Sequence, residues 1–252
     1  HRYSQIRLWG SMGFIGAAIG AGLLVEDWGI GMVPALLWGL FAALWLNSLL
    51  VPEQAAPPMV HESPLLGSVL RRPAVIAFFT ACFLNQAAHG SYYGFFSLYL
   101  ETIGYSREWI GLLWGLGVAA EVGVFLAMHR LLPRFGPRRL LLMALALAAL
   151  RWVLIGHFAR ELPLLLFAQT LHAFSFGVFH AVAIHLIHQF FPGSLQGRGQ
   201  ALYSSLTFGA GNALGSLAAG YLWQGVGPVA MYDLATVLGV LGWLVAWRGL
   251  RP

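Results

Sequence analysis

Glu121 lies in Gly117-Val-Ala-Ala-Glu-Val-Gly-Val124, where every neighbour is apolar or small. Arg151 lies in Ala148-Ala-Leu-Arg-Trp-Val-Leu154, and His172 and His180 lie in the long apolar stretch 162–191. An ionised group at the centre of a bilayer costs at least ~2.5–3.5 kcal/mol, so such a group needs a partner or a hydrated cavity. Carboxyl and imidazole groups can take and release a proton. A guanidinium keeps its charge and supplies a fixed positive field. Glu121, Arg151, His172 and His180 are therefore candidates for proton coupling, with Glu121 also a candidate for substrate binding. His180 follows His172 by eight residues, about 80° around an ideal helix, so both can line one cavity.

Each of these residues has a plainer reading. Glu121 can be half of a static salt bridge. Arg151 can snorkel to the helix end near His157, six residues or about 9 Å away. A histidine among helices is often a neutral hydrogen-bonding group. His185 and His188 point to the other side of their helix, near its end, and are read as structural.

Asn85, His89 and Tyr92 repeat at i, i+4 and i+7, so they share one helix face. Together with Gln86 and Tyr93 they make a polar stripe in an apolar helix. The three face-sharing residues are candidate substrate contacts, and bonds to a neighbouring helix explain them equally well. Asn212 is a weaker candidate of the same kind.

The elements that carry these residues must be membrane helices. The chain has 252 residues, of which 59% are hydrophobic and only 9% charged; a soluble domain carries about 25% charged residues and needs a polar surface. Its mean hydropathy is +0.74. Runs of about 20 apolar residues, enough to span a bilayer, predict eight helices near 6–25, 31–51, 73–100, 108–129, 138–157, 162–191, 199–223 and 228–247. The composition excludes a soluble enzyme, a nucleic-acid module and a disordered chain. The net charge of +5 comes from 14 basic residues, all arginine, against 9 acids. No basic stretch is interleaved with surface aromatics as nucleic-acid binding requires. Cys82 is the single cysteine, so there is no disulfide framework.

Residues 52–72 hold Pro52, Pro57, Pro58 and Pro64 and read as a linker ending in an amphipathic stretch, Leu65–Arg72. Eight alternating spans sort Arg2, Arg71, Arg72, Arg130, Arg134, Arg138, Arg139, Arg198, Arg248 and Arg251 to one side. Only Arg107 and Arg160, with five acids, fall on the other. The positive-inside rule then places the linker and C-terminus in the cytoplasm. An internal repeat matches Gly16-Ala-Ala-Ile-Gly20 to Gly211-Asn-Ala-Leu-Gly215, and Gln5 to Gln200. Glycines one turn apart expose backbone for close helix packing in lipid. The first two helices thus correspond to the seventh and eighth. If the repeat unit has six helices, four precede His1, and the chain is read as beginning partway through a longer protein.

Two segments carry a family resemblance: Arg7-Leu-Trp-Gly-Ser-Met-Gly-Phe14, and His129-Arg-Leu-Leu-Pro-Arg-Phe-Gly-Pro-Arg-Arg139. The second resembles the loop signature of the major facilitator superfamily, with His129 and Pro133 in place of its first glycine and its aspartate. Leu84-Asn-Gln-Ala-Ala-His-Gly90, Leu171-His-Ala-Phe-Ser-Phe-Gly177 and Phe191-Pro-Gly-Ser-Leu-Gln-Gly-Arg198 are similar to the branch containing lactose and 3-phenylpropionate permeases. The resemblance implies an all-α integral membrane fold with eight of twelve helices present. Residues 1–51 would end the first half, 52–72 would link, and 73–252 would form the second half. It also implies a substrate-gripping role for Arg7, with Phe14 where the branch stacks an aromatic ring on sugar. Glu121, Arg151 and His172 match its sugar-binding acid and its proton-site arginine and histidine. Gln169 and Ser175 replace that site's lysine and proton-carrying glutamate, so the carrier here must be another group.

The expectation is a secondary transporter, with two halves rocking about a midplane site, coupled to protons and taking a small organic anion such as an aromatic carboxylate. A sugar or nucleoside symporter is the alternative. A membrane redox protein with histidine-held haem or metal is a remote one, since the histidines are dispersed in helix phase. A scaffold without transport activity is a third. The expected partners are substrate, proton and the bilayer of a bacterial inner membrane, with no cofactor, no metal, no nucleic acid and a monomeric state.

Overall fold

The computed structural model describes residues 31–52 and 65–250, and scattered positions between 9 and 29 that are helical up to Trp28. Ten α-helices follow: α1 Met32–Leu50, α2 Leu66–Leu70, α3 Pro73–Thr102, α4 Arg107–Phe135, α5 Pro137–Phe158, α6 Leu162–Thr170, α7 Phe179–Phe190, α8 Gln196–Ser204, α9 Asn212–Gly225 and α10 Pro228–Gly249. Two π-helical segments, Ala173–Val178 and Ser205–Gly211, join α6 to α7 and α8 to α9. Each joined pair is one long rod, so the seven predicted spans from 31 onward all appear. Proline opens α3, α5, α6 and α10, where a missing N–H is harmless. Five described helices are long and apolar enough to cross a membrane: Met32–Leu50, Arg107–Phe135, Pro137–Phe158, Leu162–Phe190 and Pro228–Gly249. Leu112, Leu126, Leu150, Leu217 and Val237 lie on the outside, as lipid contact requires.

The loop expected over 129–139 is nearly absent. Helix α4 runs on through Pro133 to Phe135, and Gly136 alone, at φ 75°, turns the chain into α5. Glycine meets no steric penalty at that angle. Proline near a helix end removes one bond without stopping the helix, since carbonyls there are already losing partners. Arg138 then donates from Nη2 to the Trp247 carbonyl at 3.0 Å, tying the start of α5 to the end of α10.

The glycine repeat is half visible as packing. A Cβ at Gly215 would overlap the Ala87 backbone, and one at Gly90 the backbone of Gly215 and Ser216, so α3 and α9 meet backbone to backbone. At Gly16 and Gly20 nothing described lies within 4 Å. No residue of α1 is buried.

Two apolar clusters fill the bundle. One gathers Phe78, Phe125, Leu141, Leu145, Phe179 and Phe191; the other gathers Phe96, Leu113, Trp152, Ile155, Leu165 and Tyr232. Along α3, α4, α5 and the α6–α7 rod, the switch from one cluster to the other falls at Asn85–His89, Glu121, Arg151 and Gln169–Ser175. A buried polar layer therefore crosses the middle of the bundle between two apolar caps.

Candidate functional site

Arg151 is completely buried and bonds inward. Its Nε donates to the Ala168 carbonyl at 3.1 Å, Nη1 to His172 Nδ1 at 3.0 Å and to Ser175 Oγ at 3.2 Å, and Nη2 to Gln169 Oε1 at 3.2 Å. Its guanidinium carbon stands 4.0 Å from the centre of the Tyr92 ring, in cation–π geometry. Snorkelling toward the helix end is thereby ruled out. All four acceptors belong to the α6–π rod, where the regular α ladder breaks at residue 171.

The donor pattern fixes the tautomer of His172. Guanidinium can only donate, so His172 Nδ1 carries a lone pair and the ring proton sits on Nε2. That nitrogen lies 3.5 Å from Glu121 Oε2. Glu121 and His172 are 4% and 5% exposed. Gly177, on the α6–α7 rod, lets the acid come close: a Cβ there would sit only 3.2 Å from Glu121 Cγ, whereas one at Gly117 would make ordinary 3.5 Å contacts with Gln169 Oε1 and His172 Cβ. The result is one buried chain, Glu121–His172–Arg151, with Gln169 and Ser175 bracing the arginine.

Helix α3 closes the layer. Tyr92 donates to Gln169 Oε1 at 2.9 Å, Asn85 Nδ2 to the Ser175 carbonyl at 3.4 Å, and His89 Nδ1 to the Asn85 carbonyl at 2.8 Å. These three residues are wholly buried between helices. Tyr92 and Asn85 therefore bind the neighbouring α6–α7 rod, and His89 bonds its own helix and packs edge-on against Trp152 of α5, rather than line an open chamber in this conformation. Asn212 leaves its buried Oδ1 without a partner.

His180 is offset from the chain but joined to it through an aromatic column. The His172 and Phe176 rings stack at 5.5 Å and 7°, and Phe176 and His180 at 5.8 Å and 7°. An ideal helix would turn positions eight apart out of line by about 80°. The intervening π turn, with its wider i→i+5 bonding, takes up that offset. His180 Nδ1 also meets Tyr203 Oη at 3.0 Å. His185 bonds Gln189 and His188 bonds Gln200, away from the layer. Arg7 and Phe14 lie outside the described residues.

Sequence reasoning passed over Gln169 and Ser175 as binding partners. Their spacing with His172, three residues on either side, places them on nearly one face and was the available signal. It gave no sign of the Ala168 carbonyl. Among the described residues no group of three or more metal-ligating side chains converges.

Residues 1–234 match the model of the MFS_1 like family. The chain is 34% identical over 238 residues to a probable 3-phenylpropionic acid transporter of Escherichia coli K12, covering 93% of this chain and 62% of that protein. It is 30% identical over 250 residues to a maltose permease of Geobacillus stearothermophilus, covering 95% and 61%. The chain thus spans about three fifths of the length of these curated relatives. A crystal structure of the nucleoside transporter NupG, a D323A mutant, superposes with a TM-score of 0.67 at 16% identity, over 98% of this chain and 66% of that one. That likeness concerns the fold.

Proposed function

Because this chain belongs to the MFS_1 like family and is a multi-pass membrane protein, we propose that it works in a proton-coupled symporter for a small organic acid, of the aromatic carboxylate class. The observation that carries the reading is the buried Glu121–His172–Arg151 chain. With Glu121 ionised and His172 neutral, the negative and positive ends balance to zero. When Glu121 takes a proton, Arg151 keeps its charge and faces only neutral acceptors, so the layer carries one net positive charge.

A bound anion restores neutrality. The empty carrier and the carrier holding both proton and anion are then both neutral, while either half-loaded state is charged. Charge at bilayer depth is costly, so the half-loaded states are the ones least able to change orientation. Coupling follows from this asymmetry without any direct bond between substrate and Arg151, four of whose five N–H donors the protein already engages. Recognition of the carboxylate falls to other groups; Arg7, with a planar fork suited to it, and Phe14, with a flat apolar face, are proposed for that role. His180, on the stacked column, is proposed as a second proton-handling group. Asn85, His89 and Tyr92 hold the layer's geometry in this conformation and are proposed to reach substrate in another.

We further propose that residues 1–51 end one half of the carrier, 52–72 link, and 73–252 form a six-helix half. The linker and C-terminus are placed in the cytoplasm, the protein in a bacterial inner membrane, and the carrier acts as a monomer. A sugar symporter is the second reading, favoured by the maltose permease likeness. A neutral sugar would leave the protonated layer uncompensated, which is why the acid is preferred. Uptake of labelled 3-phenylpropionate and of maltose into vesicles, with and without an imposed pH gradient, separates the two. Gradient-driven accumulation of the acid supports the proposal; accumulation of maltose alone overturns it.

A further inference from the structure

Trp114 lies seven residues before Glu121 on α4, on the same face and about 10 Å along the axis. Three contacts hold its indole. The Tyr92 ring is 4.5 Å away, Phe96 meets it edge-on at 5.5 Å, and Nε1 donates to Ser97 Oγ at 3.0 Å. Its polar handle being engaged by the protein, the ring presents only apolar surface. Tyr93 lies nearly parallel to it, at 14° and 6.3 Å between centres. Tyr93 is 40% exposed and Trp114 half-buried. Aromatic contacts thus lead from the surface, through Tyr93, Trp114 and Tyr92, to the Arg151 guanidinium.

Neither usual role accounts for this pair. Core aromatics are sealed, as Tyr92 and Phe96 are. Interfacial tryptophans turn the N–H to headgroups, whereas Trp114, seven residues from both Glu121 and the start of α4, gives its N–H to Ser97. Of the neighbouring exposed positions on α3, Gly94 and Ser97 are small, and a Cβ at Gly94 would meet nothing within 4 Å, which leaves room beside the rings; Leu98 adds apolar surface. A rigid, oriented, partly open aromatic surface next to a charged layer suits a flat ring carrying a polar or charged end, because offset and edge-on ring pairs add to simple apolar contact.

We propose that Trp114 and Tyr93 form the platform on which the planar apolar part of the substrate stacks, and that they set the preference for ring-bearing over ringless molecules. This rests on the transport reading above and adds the residues that select the substrate.

The test uses the native full-length carrier in vesicles and compares 3-phenylpropionate with hexanoate, an acid without a ring. Trp114→Leu and Tyr93→Leu are each expected to raise the half-saturating concentration for 3-phenylpropionate about three- to tenfold, as losing one aromatic pair does, with little change for hexanoate. Trp114→Phe, which keeps a ring, stays near the unaltered protein and shows that the site still folds. Equal changes for both acids, or none for either, overturn the platform. If the unaltered carrier takes up sugars and neither acid, the acid reading fails by itself. The platform is then read from phenyl glucoside against glucose, and a ratio unmoved by Trp114→Leu overturns it.

Discussion

Glu121 and Arg151, on adjacent helices, are joined through the two nitrogens of one imidazole: His172 Nε2 lies 3.5 Å from the carboxylate and Nδ1 accepts from the guanidinium at 3.0 Å. The two charges are therefore read by each other through a neutral ring.

Glu121→Gln keeps the shape of the acid and removes its titration. Accumulation of substrate against its gradient, driven by an imposed pH difference, is expected to collapse to simple equilibration, while exchange of internal for external substrate persists. Measuring both in the same vesicles checks this; retained gradient-driven accumulation would show that another group carries the proton.

Arg151→Met takes away the charge that balances an ionised Glu121 in a dry layer, and the donor to four buried acceptors. Removing one member of a buried pair costs about 3–5 kcal/mol, so the melting temperature in detergent should drop markedly. Adding Glu121→Gln to that variant removes the uncompensated acid and should recover part of the loss, a coupling on the order of 0.5–3 kcal/mol for groups in one hydrogen-bond network. Strictly additive losses would mean the two residues do not sense each other.

The hydrogen-bond pattern requires a single neutral tautomer for His172, with the proton on Nε2. Nitrogen NMR of histidine-labelled protein, assigned with His172→Gln, should show one protonated and one lone-pair nitrogen at that position. A signal from the doubly protonated ring would contradict the donation by Arg151.

Gly215→Val drives a side chain into the Ala87 backbone, and overpacking of this sort costs about 1–3 kcal/mol or more. Gly111→Ala, on α4 where nothing lies within 4 Å, should be neutral or add up to about 1 kcal/mol through helix propensity. Thermal unfolding of the two variants side by side distinguishes a packing glycine from an incidental one.

Much of this architecture was legible beforehand because lipid imposes a simple code. Uninterrupted apolar runs located the helices from residue 31 onward to within a few residues, except where α4 continued through Pro133. The high cost of bare charge in hydrocarbon pointed to Glu121, Arg151 and His172 before their contact was known. Periodicity erred where backbone hydrogen bonding departed from the ideal. The π turn at 173–178 lets His172 and His180 stack on opposite faces of Phe176, nearer in line than the roughly 80° of an ideal helix, and no side-chain pattern announces a change in the backbone ladder. Asn85, His89 and Tyr92 did share a face, as their spacing required, but spacing cannot tell a face turned to a chamber from one pressed against a neighbouring helix.

The two π segments carry a consequence for lineage. Each holds one more residue than a regular turn would use, so its geometry equals that of an α-helix with a single amino acid added and bulged aside. Deleting one residue from 173–178 or from 205–211 would let the rod close up while everything downstream kept its bearing. Related chains can thus differ in length by one at these two places and still point their histidines, glycines and aromatics the same way.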